Sequence, residues 1–210
     1  MVRYDFPKYK IVLDIDEDIY FPAEDTFALI DIIQIEDNHK CVLEIGSGSG
    51  IISVVLAKKY PKVHFIITDI SYNAVKTIEN NIRLNNIGNL VDLICMDKLE
   101  ASKHLHPDII IWNPPYLPVD EDSDNLEAIE KLMLIGGNKG FEQAYDLIQS
   151  LISQKYQVIL YTIFSSVGIE ASTFKQFQNE GINVEICEEV NLFFEKLYLV
   201  KVSIGENIEE

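Results

Sequence analysis

Positive charge is scarce in this chain: 17 Lys and Arg stand against 34 Asp and Glu, a formal charge of -17 over 210 residues. No Lys/Arg-rich run is present, and pairs such as Lys58-Lys59 are too small to make a basic patch. Such a surface repels phosphate backbones, so tight sequence-independent nucleic-acid binding is disfavoured. Cysteine is sparse too. Cys41, Cys95 and Cys187 lie far apart in apolar runs with no CxxC pairing, and are expected to be buried thiols of a cytosolic protein. No apolar stretch approaches the ~20 residues of a membrane span. Residues Met1 to Pro7 lack the apolar core of a signal peptide, so cytoplasmic residence is expected. A P-loop lysine pattern is missing, which disfavours phosphate cradling and nucleotide hydrolysis. His104 and His106 sit near Asp108 without further ligands, so no metal site is expected. What remains is ordinary globular composition, 48% hydrophobic and 24% charged, in a chain long enough for one full core.

Read in order, residues 1–20 contain two short alternating runs, Lys10 to Asp14 and Asp18 to Phe21, expected to form a small hairpin or lid strand. A helix is expected from Pro22-Ala23-Glu24-Asp25-Thr26-Phe27, with acids in its first turn and Phe27, Ile30 and Ile33 on one face. From residue 40, strand and helix alternate. Strands are expected at Cys41 to Ile45, Val63 to Thr68, Val91 to Met96, Asp108 to Trp112 and Tyr156 to Ile163. Ser71 is a good N-cap for a helix carrying Val75, Ile78 and Ile82 on one face. Leu126 to Leu134 reads as a helix, Gly136 to Gly140 as a break. A helix with Phe141, Ala144, Ile148 and Leu151 inward follows. Another, around Phe174 and Phe177, stops at Gly181. Two closing strands, Val184 to Val190 and Leu197 to Ile204, suit an antiparallel pair. Repeated strand–helix units imply a mostly parallel sheet with helices on both faces, and ligands in such sheets bind at the carboxyl ends of the strands.

Four turns should therefore converge. The first is Glu44-Ile45-Gly46-Ser47-Gly48-Ser49-Gly50, where missing Cβ atoms let backbone approach a ligand; a plain tight turn fits it as well. The second holds Asp69, placed either to accept from the hydroxyls of a ribose or to start a helix as a solvated acid. The third holds Asp97, placed either to accept from an adenine amino group, with Ile70 and Leu99 flanking the ring, or as a plain strand-end acid. The fourth is Asn113-Pro114-Pro115-Tyr116. Two prolines fix two φ angles and remove two donors, and Pro114 drives Asn113 into an extended conformation. The carbonyls of Asn113 and Pro114, the Asn113 amide and the Tyr116 ring make a seat for a planar NH2 group. A rigid turn is the plainer alternative for these four residues alone.

Together these residues resemble the class I S-adenosylmethionine-dependent methyltransferases, and Asn113-Pro114-Pro115-Tyr116 resembles the motif of their amino-group branch. That branch includes the HemK-like glutamine methyltransferases of release factors and the adenine-N6 enzymes. The likeness runs from Tyr20 to about Ser203. It implies a Rossmann-like α/β fold: a seven-stranded mostly parallel sheet with an antiparallel C-terminal strand pair. It implies S-adenosyl-L-methionine as cofactor, with Thr26, Glu44, Gly46, Gly48, Gly50, Asp69, Ile70, Asp97, Lys98 and Asn113 on the cofactor side. Asn113, Pro114 and Tyr116 would be the catalytic set. The segment Pro22 to Phe27 is similar to the one preceding the core in archaeal and eukaryotic members, and Gly136, Gly137 and Gly140 resemble their glycine pair and third glycine. Leu134-Ile135 and Phe141 depart from that pattern, where an aromatic and a basic residue are usual. With the glycine loop beginning at residue 46, the helical recognition domain of bacterial relatives is not expected ahead of it.

The resemblance implies an extension over 1–21, a methyltransferase domain over 22–205 and an acidic tail over 206–210. The activity it implies is N5-methylation of a glutamine side chain in a class 1 release factor. Adenine-N6 methylation of RNA or DNA stays open, since the same seat accepts an exocyclic amine. A binding module without catalysis and a nicotinamide-dependent reductase are further alternatives. In the family's strand order Val91 to Met96 is an edge, which invites pairing; relatives bind a small zinc-containing activator protein, expected on that edge.

Overall fold

The computed structural model describes residues 1–88, 90–99, 105–121 and 123–205. The chain divides into two units, Met1–Trp112 and Asn113–Glu210. In the first, Val2–Phe6 (β1) and Ile11–Ile15 (β2) form an antiparallel hairpin, and Glu24–Ile32 (α1) follows. Then come Cys41–Ile45 (β3), Ile51–Lys59 (α2), His64–Asp69 (β4), Tyr72–Leu84 (α3), Val91–Cys95 (β5) and Ile109–Trp112 (β6). Strands β6, β3, β4 and β5 pair in parallel in that order. The β-branched content explains the choice of centre: Ile109, Ile110 and Ile111 are fully buried and Trp112 nearly so. Burial on both faces is what a central parallel strand requires, and each such side chain contributes roughly 1.5–3 kcal/mol. Ser71 caps α3, its hydroxyl accepting from the Ala74 N–H at 3.3 Å.

The second unit contains Leu117–Pro118 (β7), a short 3-10 turn at Ser123–Asn125, Ala128–Leu134 (α4), Ile135–Gly137 (β8) and Glu142–Ser153 (α5). Val158–Ser165 (β9), Ala171–Asn179 (α6), Asn183–Asn191 (β10) and Lys196–Ile204 (β11) complete it. Strand β11 pairs antiparallel with both β9 and β10, and β7 pairs with β8. The seven-stranded sheet runs β10-β11-β9-β6-β3-β4-β5, the mostly parallel architecture with an antiparallel C-terminal pair that the sequence implies. Strand β5 ends the order, as expected of Val91 to Met96.

Three readings need correction. The hairpin forms from Val2–Phe6 and Ile11–Ile15, and Asp18 to Phe21 is not a strand. Register explains this: Arg3 lies opposite Asp14 and grips it with two hydrogen bonds, 2.8 and 2.9 Å. The other edge of β2 is already occupied. The Asn85 amide exchanges two bonds with the backbone of Val12, and the Asn81 amide two with that of Asp14. Second, the cysteines are not buried: Cys95 and Cys187 are exposed and Cys41 is half-buried. Cys95 ends terminal strand β5, and Cys187 is the extra residue of a bulge in terminal strand β10. Third, the helix expected from Leu126 begins at Ala128, where Glu127 and Glu130 form a capping box. Gly136 and Gly137 lie in β8 rather than in a break. The expected acidic tail, 206–210, and His104 lie outside the described residues; His106 is exposed.

Asn81 is fully buried, and besides Asp14 it donates to the Ser49 carbonyl at 3.0 Å. Asn81→Ala strands three backbone groups and is expected to lower stability by about 2–4 kcal/mol, read from the midpoint of urea denaturation. A change below about 0.5 kcal/mol would show that water replaces the amide.

Candidate functional site

Strand β3 ends in the loop Gly46-Ser47-Gly48-Ser49-Gly50, which turns the chain into α2. All three glycines have positive φ, 60°, 53° and 77°, the left-handed region that other residues avoid. The loop is tied down on one side by β4: the Ser47 N–H and hydroxyl both donate to the Thr68 carbonyl at 3.0 Å. Gly48 N–H donates to Asp69 Oδ2 at 2.8 Å, and Ser71 N–H to Asp69 Oδ1 at 2.8 Å. Asp69 is therefore a buried strand-end acid. Burial raises its pKa, opposed by the N–H groups of Ser71, Gly48 and Ile70 that favour the anion.

Glu44, one residue before the end of β3, is completely buried and accepts from the Ser53 N–H at 2.9 Å. Ser53 lies in the first turn of α2, where backbone donors lack helical partners. Burial pushes the Glu44 carboxyl up to about 8, so near neutrality it holds its proton.

The third strand end is joined to this cluster by the Met96 N–H, which donates to the Asp69 carbonyl at 3.0 Å. Asp97 and Lys98 follow, half exposed, with Lys98 Nζ 3.8 Å from Asp97 Oδ1. Lys98 adopts φ 42°. Ile70 is 47% exposed whereas Leu99 is buried, so of the two proposed ring neighbours only Ile70 presents an open apolar surface. Thr26 is buried in the first turn of α1, where its hydroxyl donates to Asp25 Oδ1 at 3.1 Å. Asp25 in turn accepts from the Tyr20 hydroxyl at 3.0 Å.

In the second unit, Pro114 is buried and Asn113, Pro115 and Tyr116 are half-buried. The turn is braced by glycines. A Cβ on Gly136 would stand 2.4 Å from the Pro115 carbonyl oxygen, and one on Gly140 2.3 Å from that of Tyr116. Both distances are impossible, so these glycines let the Asn-Pro-Pro-Tyr backbone lie directly on the Gly136–Gly140 segment. Leu117 and Pro118 extend the contact by pairing with Ile135 and Gly137.

The structure thus gathers Glu44, Gly48, Gly50 and Asp69 in one hydrogen-bonded cluster, with Gly46 in the same loop. Ile70, Asp97 and Lys98 lie at the adjoining strand ends. Asn113, Pro114 and Tyr116 form a second, braced group that begins directly after Trp112. In register, Trp112 stands opposite Ile45, and its indole lies 3.5 Å from where a Gly46 Cβ would be. Sequence reasoning missed Trp112, Ile19 and Asn81. Ile19 is buried with its Cγ2 3.8 Å from a Gly48 Cβ position. Asn81 carried a signal: it interrupts the apolar stripe of α3 between Ile78 and Ile82. Among the described residues there is no group of metal ligands and no helix long and apolar enough to cross a membrane.

Glu44 gives a pH prediction. Its folded-state pKa, about 8, exceeds the ordinary 4.5, so the folded protein binds the proton more tightly. The associated stability is present below about 4.5 and lost as pH rises through about 8, about 5 kcal/mol in all. The melting temperature of the ligand-free protein is expected to fall from pH 5 to pH 8, and Glu44→Gln to flatten that slope. An unchanged slope would assign the effect to general charge repulsion.

Comparison with known proteins shows the family. The methyltransferase small domain model matches residues 24–173. A protein of Methanocaldococcus jannaschii assigned as a protein N5-glutamine methyltransferase is 32% identical over 191 residues, covering 90% of this chain and 94% of that one. The release factor glutamine methyltransferase of Aquifex aeolicus is 33% identical over 116 residues, 54% of this chain and 41% of that one; the chain spans under half of that longer relative. Among solved structures, the E. cuniculi Mtq2–Trm112 complex responsible for methylation of the eRF1 termination factor aligns with a TM-score of 0.62. The identity there is 22%, over 89% of this chain and 98% of that one, a likeness of fold. The chain belongs to the methyltransferase small domain family and is an S-adenosylmethionine-dependent methyltransferase.

Proposed function

We propose that this enzyme methylates the side-chain amide nitrogen (N5) of a glutamine in a class 1 translation release factor. The observation that carries the reading is the braced Asn113-Pro114-Pro115-Tyr116 turn. With Pro115 and Tyr116 backed onto Gly136 and Gly140, Asn113 and Pro114 have a fixed backbone on which a planar amide can be seated. The resemblance to the Methanocaldococcus jannaschii protein over nearly its full length supports an amide rather than a base amine, as does the charge of -17.

The residues of the first unit fit the cofactor. Asp69 is a strand-end acid already held by backbone N–H groups, beside exposed Ile70, and the loop glycines leave Cβ-free space. In this reading Asp69 accepts from ribose hydroxyls, and Asp97 from the adenine amino group with Ile70 at the ring. Gly46, Gly48 and Gly50 admit close approach, with Thr26, Glu44 and Lys98 around them. When bound, S-adenosylmethionine supplies a methyl group on a sulfonium and departs as the neutral thioether.

An amide nitrogen is a poor nucleophile because its lone pair is delocalised. The Asn113 side-chain oxygen and the Pro114 carbonyl would accept its two N–H bonds and hold the nitrogen in line, while Tyr116 walls the seat. Orientation of this kind can supply several kcal/mol of barrier reduction. As the N–C bond forms the nitrogen's proton becomes acidic and leaves to solvent, so no titrating base is required. We further propose 1–21 as an extension and 22–205 as the catalytic domain, in a cytoplasmic protein. Edge strand β5, Val91–Cys95, would receive a small zinc-containing activator protein by sheet extension.

Wild-type enzyme incubated with methyl-labelled cofactor and a class 1 release factor is expected to add one methyl to a glutamine-containing peptide, read by mass spectrometry. Parallel reactions with tRNA and DNA at low salt should stay blank; labelled nucleic acid would favour adenine methylation instead. Asn113→Ala should cut turnover on the order of 100-fold or more while calorimetry shows cofactor affinity within about threefold. Loss of cofactor binding would remove Asn113 from the seat. Co-expression with the activator should raise soluble yield, and a monodisperse, fully active monomer would make that partner unnecessary.

A further inference from the structure

The loop joining β10 to β11 ends in two phenylalanines with almost no cover. Phe193 is 92% exposed and Phe194 90%, and they touch each other edge to face at 4.7 Å. Hairpin tips are ordinarily built from Gly, Asn and Asp, and exposed apolar groups of this kind mark interaction sites. The tip itself is well defined, with Leu192 N–H donating to the Glu195 carbonyl at 2.8 Å.

The tip is also linked to the Asn-Pro-Pro-Tyr turn by a short chain of contacts within the second unit. Gly140 lies against the Tyr116 carbonyl. Gly168 lies against Lys139, where an added Cβ would stand 1.9 Å from the carbonyl oxygen. Gly168 N–H donates to the Ser165 carbonyl at 3.1 Å, and Ser166 N–H to the Lys196 carbonyl at 2.8 Å. The Ser165 hydroxyl bonds the Glu195 carboxylate. Val167, between these anchors, is 53% exposed. Exposed Val167, Phe193 and Phe194 therefore belong to the same end of the unit as the amide seat.

Charge narrows the occupant. The hairpin carries Glu185, Glu188, Glu189 and Glu195 against Lys196 and Lys201, and Lys196 is engaged by Glu189 at 2.8 Å. A partner meeting this tip should offer an apolar pocket rimmed by Lys or Arg. Anionic lipid and a second copy of a chain with charge -17 are both repelled.

We propose that Phe193 and Phe194 form a docking anchor for the protein substrate, engaging an apolar, basic-rimmed surface on it at a distance from the methylated glutamine. This rests on the protein-substrate reading above and adds a recognition element to it. Two aromatic side chains at the centre of a contact are the usual carriers of binding energy, so their removal should act on substrate affinity and not on chemistry.

The test compares wild-type enzyme with F193S/F194S and with the milder F193L/F194L. Substrates are the organism's own class 1 release factor, folded and full length, and a short peptide bearing its glutamine. The serine variant is expected to raise KM for the folded factor at least tenfold with kcat within about twofold, to leave peptide methylation unchanged, and to keep the wild-type melting temperature. The leucine variant should fall between. An unchanged KM for the folded factor would overturn the anchor while leaving glutamine methylation intact. Equal losses on factor and peptide would overturn it in favour of a catalytic or structural role. Failure of wild-type enzyme to methylate either substrate would overturn the substrate reading itself, and the anchor with it. Flotation of the wild type with phosphatidylcholine vesicles, or a dimer that F193S/F194S dissociates, would assign the tip to lipid or to self-association instead.

Discussion

Asn81 has no solvent to bond with, so its carboxamide must find every partner inside the protein, and it finds them in Asp14 and Ser49. Those three bonds connect the N-terminal hairpin, helix α3 and the glycine loop. With the Ser49 carbonyl anchored on one side and Ser47 and Gly48 on β4 at the other, the loop is pinned at both flanks. A phosphate-free, glycine-rich turn in isolation would wander among many conformations. Here the orientation of its backbone donors is set before any ligand arrives, the pre-organisation on which binding sites depend.

The second unit reaches the same end by a different route. Around Asn-Pro-Pro-Tyr close backbone proximity contributes to the rigidity. Backbone lies on backbone at Gly136, Gly140 and Gly168 because there is no side chain to intervene. Prolines at 114 and 115 stiffen the turn from within, and the glycines let it be supported from outside. Neither device works alone, since a stiff turn without a backing can tilt as a body.

Much of this was readable from residue order. Continuous β-branched runs located the parallel strands, strand-end acids located two turns, and Asn-Pro-Pro-Tyr stood out against any background. What escaped were relationships between distant positions. The amides of Asn81 and Asn85 bond residues 67 and 73 positions away, and nothing local announces such partners. The glycines at 136 and 140 were visible as a motif, yet their purpose lies in Pro115 and Tyr116, some twenty residues earlier. The cysteines misled because apolar neighbours suggest burial, whereas the strands that carry Cys95 and Cys187 are terminal ones with a side open to solvent. The first hairpin misled because alternation marks a strand without naming its partner, and here the decisive cue was the pairing of Arg3 with Asp14.

The bulge at Cys187 has a consequence for how copies of the molecule meet. A sheet with two free borders can grow without limit if one border accepts the other from a neighbouring copy, a head-to-tail contact that never closes and ends in fibres. Here the borders are unlike. Along β10 the extra residue breaks the hydrogen-bonding repeat, and Glu185, Glu188 and Glu189 line the break. Along β5 the ladder is regular, with Asp92 as its one charge. A regular ladder on one border and a broken, acid-lined one on the other are a poor match for head-to-tail growth of the sheet.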